Sequence, residues 1–500
     1  MRILIIYPPC RESMTPTLPL GLLYVAQTLI EDGHTLKFFD IALEKPTRDE
    51  VISRIRLEKF DLMLIGGIIT TYGYIKWLTN EVKKIYPDIP ILGGGFVATP
   101  IPHIIFKNTG IDVICNGEGD ITVRDYVSTL EGGGDISKVS GLFIRKDASF
   151  LKTSERPLIK NLDNISPPVD VYKLLNIERY IIENGRSSQQ MLESHSEWDS
   201  HRGECRHFVV LSGRGCVGNC TFCYRMMKGI RKHSVPYVIK HMKYLSEMYK
   251  VNFFEFQDEL FIGNNRWTDE FCAAMEESNM DVRFTISSRA DMITEELLNK
   301  LKSVGCIHIT VGFESGSQRM LDSMKKHMKV EHNYNAYKLL KKYNMLKGVP
   351  TIQGMPGETR ESIMETLKFI QECKIDSAAN YYATPYPNSD IYQYALKEGL
   401  IHDEEKYLDL ITDSDAGDFK INLTQLPDTD LKYYTWLLRD ACRKNKLLNE
   451  IENDKIGKAA YYKFLIKHFV IKILYHAGLF EILWNLNNKI EIKKRNTYKI

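Results

Sequence analysis

Over residues 1–145 short apolar runs alternate with stretches whose apolar positions recur at helical spacing, the rhythm of a parallel sheet wrapped by helices. The runs predict strands at Ile3–Tyr7, Thr35–Asp40, Leu62–Gly66, Ile89–Gly93 and Val113–Cys115, with amphipathic helices such as Leu20–Glu31 and Tyr74–Ile85 between them. Glycines gather at the strand ends: Gly66-Gly67, Gly93-Gly94-Gly95, and Gly117 with Gly119. In an open α/β sheet ligands bind at the carboxyl ends of strands, and glycine lets backbone approach them closely. Tight βα turns also want glycine, so no single one of these defines a site. Pro8-Pro9-Cys10 stands where a glycine fingerprint for a dinucleotide would follow the first strand, which argues against a site of that kind.

The periodicity fades over 146–205, and the polar stretch Gly185–Arg206 reads as a linker or an ordered loop. From His207 the βα rhythm returns and runs to about Pro387. It predicts strands at Phe208–Leu211, Phe253–Gln257, Arg283–Ser287, Ile307–Phe313, Gly348–Gln353 and Ala378–Ala383. Such a series makes a partial barrel, with its chemistry at the C-terminal strand ends. The division expected is therefore 1–145, a linker at 146–205, a barrel at 206–390 and a helical region at 391–500. Within 455–500 stand ten basic residues and two acidic ones, Glu481 and Glu491, interleaved with Tyr461, Phe464, Phe469, Leu474, Phe480 and Trp484. That segment has two readings: packing on the body of the protein, or peripheral contact with an anionic membrane. Lysines and glutamate interrupt every apolar window long enough to span a bilayer.

A chain of 500 residues exceeds a single compact core. Its 66 basic and 64 acidic residues nearly cancel, which offers no global argument for nucleic acid as a partner. Met1–Ile6 enters directly into an apolar run ended by Pro8-Pro9, unlike a secretory leader, so a cytoplasmic protein is expected, with membrane association as the alternative. Cys10, Cys115, Cys205, Cys272, Cys306, Cys373 and Cys442 are scattered singly and read as small buried hydrophobes. The remaining three cysteines are clustered.

They lie in Gly213-Arg214-Gly215-Cys216-Val217-Gly218-Asn219-Cys220-Thr221-Phe222-Cys223-Tyr224, directly after a predicted strand. Three thiolates this close can wrap one compact metal centre. Structural zinc would need a fourth ligand and usually a second Cys-x-x-Cys knuckle, which the chain lacks. A four-iron, four-sulfur cluster normally takes four thiolates, so three leave one iron open to an external ligand.

This Cys-x-x-x-Cys-x-aromatic-Cys pattern resembles the signature of the radical S-adenosylmethionine enzymes. The resemblance implies that Cys216, Cys220 and Cys223 hold a 4Fe–4S cluster and that S-adenosylmethionine binds its open iron and is cleaved to a 5′-deoxyadenosyl radical. In the same family, segments like those at the ends of the next strands hold S-adenosylmethionine. Here these are Asp258-Glu259, Ser288-Arg289, Glu314-Ser315 and Gly354-Met355-Pro356-Gly357-Glu358. Arg289 and Glu314 could instead form a structural ion pair, and Glu358 reads as a first-turn helix acid.

The N-terminal half resembles the cobalamin-binding subgroup of that family through Pro8-Pro9, Pro19–Ala26, Gly33-His34, Asp40, Gly93-Gly94-Gly95 with Thr99, and Gly117-Glu118-Gly119. The resemblance implies a Rossmann-like domain, a partial (β/α)6 barrel and a helical C-terminal region. It implies cobalamin bound near Thr70, Gly94, Thr99, Gly117 and Glu118. The Asp-x-His-x-x-Gly motif that offers a histidine to cobalt is absent, and His34 reads as a turn residue. The activity implied is a cobalamin-dependent methyltransferase acting on an unactivated carbon or phosphinate centre. The substrate implied is a small molecule or lipid, and the electron donor a flavodoxin or ferredoxin. A cyclase or oxidoreductase of the same build is the alternative. A methylthiotransferase would carry a second cysteine trio in the N-terminal domain, where only Cys10 and Cys115 occur.

Overall fold

The computed structural model describes residues 1–9, 17–147, 149–193, 198, 203–225, 227, 229–453 and 455–486. Cys10 lies outside them. The chain divides into two compact units, one of Met1–Val217, Tyr224–Phe284 and Ile401–Ser414, the other of Gly218–Cys223, Thr285–Leu400 and Asp415 onward.

The first unit is built on a seven-stranded sheet. Its strands are β1 (Arg2–Tyr7), β2 (Thr35–Asp40), β3 (Leu62–Gly66), β4 (Ile91–Gly94), β5 (Val113–Cys115), β6 (Leu142–Lys146) and β7 (Ser149–Lys152), in the order β2-β1-β3-β4-β5-β6-β7. The first five pair in parallel, and β6 and β7 close one edge antiparallel. Ile3, Leu4, Ile5 and Ile6 are all buried, as a central parallel strand covered on both faces requires. The fourth strand starts two residues later than the sequence predicts because Pro90 has no N–H for the ladder; only its carbonyl takes part, accepting from Met63.

The stretch expected to be a linker is structured. Strand β7 extends the first sheet beyond residue 145, and Ile177–Glu193 is a helix where a polar loop was expected. Its apolar side is narrow, with Ile177, Tyr180, Ile181 and Leu192 buried, and the Tyr180 hydroxyl donates to Asp40 at 2.8 Å. Tertiary packing on that narrow stripe, rather than propensity, makes the helix. The same unit contains β8 (His207–Val210), the antiparallel hairpin β9 (Gly213–Cys216) and β10 (Gly229–Lys232), and β11 (Phe253–Phe256), which pairs parallel with β8. Helix Glu404–Ile411, counted by sequence with the C-terminal region, returns to this unit. There Lys76 reaches Glu405 at 2.9 Å and Asp409 at 3.1 Å, and Gly73 N–H donates to Thr412.

The second unit carries β12 (Arg283–Arg289, from Thr285), β13 (Cys306–Gly312), β14 (Val349–Gln353) and β15 (Ala378–Tyr382). β12 neighbours β13, bridges Ile309–Leu346 and Glu314–Thr351 continue the order to β14, and β14 pairs parallel with β15. Helices Glu295–Ser303, Val330–Lys342, Arg360–Glu372 and Asp390–Lys397 follow the four strands in turn. Two long helices, Asp428–Glu452 and Lys458–His476, complete the unit, and Asn445 anchors the first by donating to the carbonyls of Ile370 and Ile375. The fold class is α/β: a Rossmann-like domain, the six parallel-type strands β8 and β11–β15 of a partial barrel with their helices, and a helical C-terminal region. Among the described residues no helix is long and apolar enough to cross a membrane.

Candidate cofactor sites

At the carboxyl edge of the first sheet, backbone from neighbouring strands comes together where side chains would not fit. A Cβ on Gly67 would collide with Thr71 Oγ1, and Gly95, at φ +75°, lies with its Cβ direction 3.0 Å from the Gly67 carbonyl. Gly117, at φ +91°, faces open space instead. Thr99 spans the edge by donating to the Cys115 carbonyl at 3.1 Å, and Gly94 ends β4 in extended backbone. Thr70 Oγ1 is buried with no hydrogen-bond partner, an arrangement that costs stability unless a ligand completes it. A glycine-lined edge with one orphaned hydroxyl fits a large ligand laid against strand ends. His34 is at the opposite end of the strands, 3.1 Å from the N-terminal ammonium, and cannot serve that edge.

Glu118 is taken up by partners within the protein. Its carboxylate, almost fully buried, accepts from Arg214 at 3.0 Å, from Arg231 at 2.9 and 3.0 Å, and from the Ile159 N–H at 2.8 Å. Asp120 adds contacts to Arg214 at 2.7 and 3.0 Å. Burial lowers the affinity of Arg214 for its proton, but the two carboxylates outweigh it and the net shift is upward. Arg214 is two residues from Cys216, so the strand-end loop of the N-terminal domain clamps the hairpin that leads into the cysteines. The hairpin itself depends on glycine: a Cβ on Gly213 would lie 2.5 Å from the Arg231 carbonyl, and one on Gly215, at φ +85°, would strike the Gly229 carbonyl.

Asp258, two residues beyond β11, is buried, accepting from Ser212 N–H at 3.1 Å and Ser212 Oγ at 2.9 Å, with Lys232 at 3.4 Å; Glu259 beside it is exposed. Asp258 therefore fixes the strand ends, and of the two acids only Glu259 is open to solvent. Cys216, half-buried, ends β9 in the first unit.

Cys220, half-buried, and Cys223, exposed, belong to the second unit. Their loop is pinned on both sides: Thr221 N–H donates to the Met324 carbonyl at 3.0 Å and the Thr221 carbonyl accepts from Ile391 at 3.2 Å. Cys223 N–H donates to the Cys220 carbonyl at 3.2 Å. Among the described residues no three Cys, His, Asp or Glu side chains are already gathered as a metal group, so the fit of the trio to iron rests on its donor chemistry and spacing.

Near Cys220 is a lysine that no sequence pattern singles out. Lys326 Nζ is 2.6 Å from Glu314 Oε1 and both side chains are buried. Burial opposes the ammonium, but Glu314 and Cys220 hold its pKa above the ordinary value. Glu314 adopts φ +61°, and Gly312 leaves the room the pair occupies, since a Cβ there would strike Glu314 Oε1. The positive-φ backbone at Glu314 is held in place by this buried ion pair. Arg289 does not pair with Glu314; it holds Asp291 at 2.9 Å and the Lys326 carbonyl at 2.7 Å. Ser288 Oγ donates to the Arg289 carbonyl, and Ser315 Oγ is turned inward to Thr366 at 3.1 Å. After β14, Gly354 at φ +87° donates its N–H to Glu358, and Pro356 is half-buried. Glu358 is not a first-turn acid: the helix begins at Arg360 behind the Thr359 cap, and Glu358 is buried before it.

Comparison with known proteins finds family models that match two separate stretches of the chain. The model of the radical SAM superfamily matches residues 210–370, and that of the B12 binding domain matches residues 10–127. An uncharacterized methyltransferase of Pyrococcus horikoshii is 29% identical over 412 residues, covering 80% of this chain and 84% of its own. The anaerobic magnesium-protoporphyrin IX monomethyl ester cyclase of Synechocystis sp. is 26% identical over 424 residues, covering 81% and 80%. Among solved structures, the radical S-adenosylmethionine methyltransferase TsrM from Kitasatospora setae, with cobalamin and a 4Fe–4S cluster bound, aligns with a TM-score of 0.61. It is 16% identical, covering 79% of this chain and 75% of its own, so that likeness is one of fold.

Proposed function

The chain is a radical S-adenosylmethionine enzyme with a B12-binding domain, and on that premise we propose that it is a cobalamin-dependent methyltransferase acting on an unactivated carbon or phosphinate centre of a small molecule. When bound, the cluster supplies an electron that cleaves S-adenosylmethionine and cobalamin supplies a transferable methyl group. Cys216, Cys220 and Cys223 would hold the cluster and leave one iron open. Lys326 and Glu314 carry the charges complementary to the carboxylate and amino group of S-adenosylmethionine, and Arg289 fixes the Lys326 backbone. Thr70 would give its orphaned hydroxyl, and Gly67, Gly95 and Gly117 their open backbone, to cobalamin. The reaction needs an external reductant, for which a flavodoxin or ferredoxin is the natural class.

The observation that carries this reading is the clamp between Glu118 and Arg214. It joins the loop of the B12-binding domain to the hairpin ending in Cys216, which supports the two domains serving one reaction. The cyclase relative favours a second reading, ring closure without methyl transfer. Anaerobically reconstituted protein given S-adenosylmethionine, dithionite and hydroxocobalamin separates them. Methyl transfer yields S-adenosylhomocysteine together with 5′-deoxyadenosine; deoxyadenosine alone defeats that reading and favours the second.

A further inference from the structure

Helix Lys458–His476 is apolar on two opposite sides. One side packs: Phe464 and Ile471 are buried, His468 meets Asp440, and Tyr475 stacks on Tyr433 at 3.5 Å while donating to Asp430 at 2.9 Å. The other side is Tyr462, Ile466, Phe469, Val470 and Ile473, which recur at helical spacing and are 46–66% exposed. Leu479, Ile482 and Leu486 add further exposed apolar surface beyond the helix. A continuous stripe of this kind marks a contact surface rather than scattered surface hydrophobes.

The charges around the stripe say what kind. At 100° per residue Lys463 and Lys467 fall along one border of the stripe and Lys472 along the other, all exposed. From Lys455 to Phe480 the sequence has no acidic residue, and Glu481 is taken by Lys432 at 2.7 Å. On the Lys472 side the helix borders a groove of about 1230 Å³, where Lys338, Lys341, Lys342, Lys374 and Lys444 join Lys472. The acids there are Asp376, Asp440 and Glu452; Lys341 faces Asp376, His468 faces Asp440 and Lys342 is paired with Glu295, which leaves Lys338, Lys374, Lys444 and Lys472 against Glu452 and a positive excess. Two identical stripes set face to face would bring lysine borders together with no acid to offset them, which disfavours a second copy.

We infer that the outer face of helix Lys458–His476 docks on an anionic lipid surface. The aliphatic and aromatic stripe enters the interface, and Lys463, Lys467 and Lys472 extend along its borders to the lipid phosphates. The contact lies in the plane of the membrane. It is independent of the reaction catalysed, and it would keep the enzyme where an amphiphilic substrate resides.

The test is flotation of the full chain with vesicles of phosphatidylcholine alone or mixed in equal parts with phosphatidylglycerol. The protein is expected to float with the mixed vesicles and remain behind with the neutral ones. The double variant Ile466→Asp/Phe469→Asp should lose flotation. The triple variant Lys463→Gln/Lys467→Gln/Lys472→Gln should bind the mixed vesicles roughly 100-fold more weakly, about fivefold per lysine. All these positions are solvent-facing, so both variants should melt as the parent does. Absence of flotation by the parent, or unchanged flotation by both variants, overturns the inference. So does a dimer in light scattering that the aspartate variant abolishes while no form floats, an outcome that assigns the face to a second copy.

Discussion

Glu358 is a buried carboxyl held by the N–H groups of Gly354 and Met355, with a smaller favourable contribution from the charge of Arg319. Burial outweighs those contacts and pushes its pKa up to about 8 from the ordinary 4.5. The folded protein thus keeps a proton that the unfolded chain has already released, so this group makes stability fall as pH rises from about 4.5 to about 8. Glu358→Gln removes that dependence. Relative to the parent it should gain about 1.4 kcal/mol per pH unit across the window in urea unfolding; parallel curves would contradict the assignment. The sequence shows Glu358 next to a helix but not its direction, because only the Thr359 cap decides whether the side chain faces solvent or folds back. Lys326 is illegible for a related reason: within Lys325-Lys326-His327 it looks like a solvated charge run, and its burial against Glu314 follows from a positive-φ residue twelve positions earlier.

At the scale of elements, long apolar runs were the readable part. β2, β3 and β5 and helix Leu20–Glu31 have the limits their patterns predict, since a buried strand or a helix face must be apolar at a fixed period. Hairpin β9–β10 had no such signal. Its strands are four residues each and need glycine where their backbones approach, so the sequence reads as loop. Glu118, which the resemblance to cobalamin-binding proteins singles out, is the acid that clamps this hairpin. Glu118→Ala leaves Arg231 without its carboxylate and Arg214 with Asp120 alone, and should cost about 3–5 kcal/mol of stability. It should also lower iron retention after reconstitution, because Cys216 ends the loosened strand. A loss below about 0.5 kcal/mol with unchanged iron would show that the clamp is idle.

For the molecule as a whole, the order of domains was legible because each domain carries its own motif, whereas the path of the chain between units was not. Helix Glu404–Ile411 returns to the first unit through Lys76, Glu405 and Asp409, a contact between residues more than three hundred positions apart that no local pattern announces. On this reading one chain holds an iron–sulfur cluster and cobalamin at separate sets of residues. Iron and cobalt analysis of protein reconstituted anaerobically with iron, sulfide and hydroxocobalamin and then gel-filtered decides it. The parent should retain about four iron and about one cobalt per chain, and Cys220→Ala should lose the iron while keeping the cobalt. Cobalt absent from the parent, or iron undiminished in the variant, would contradict it.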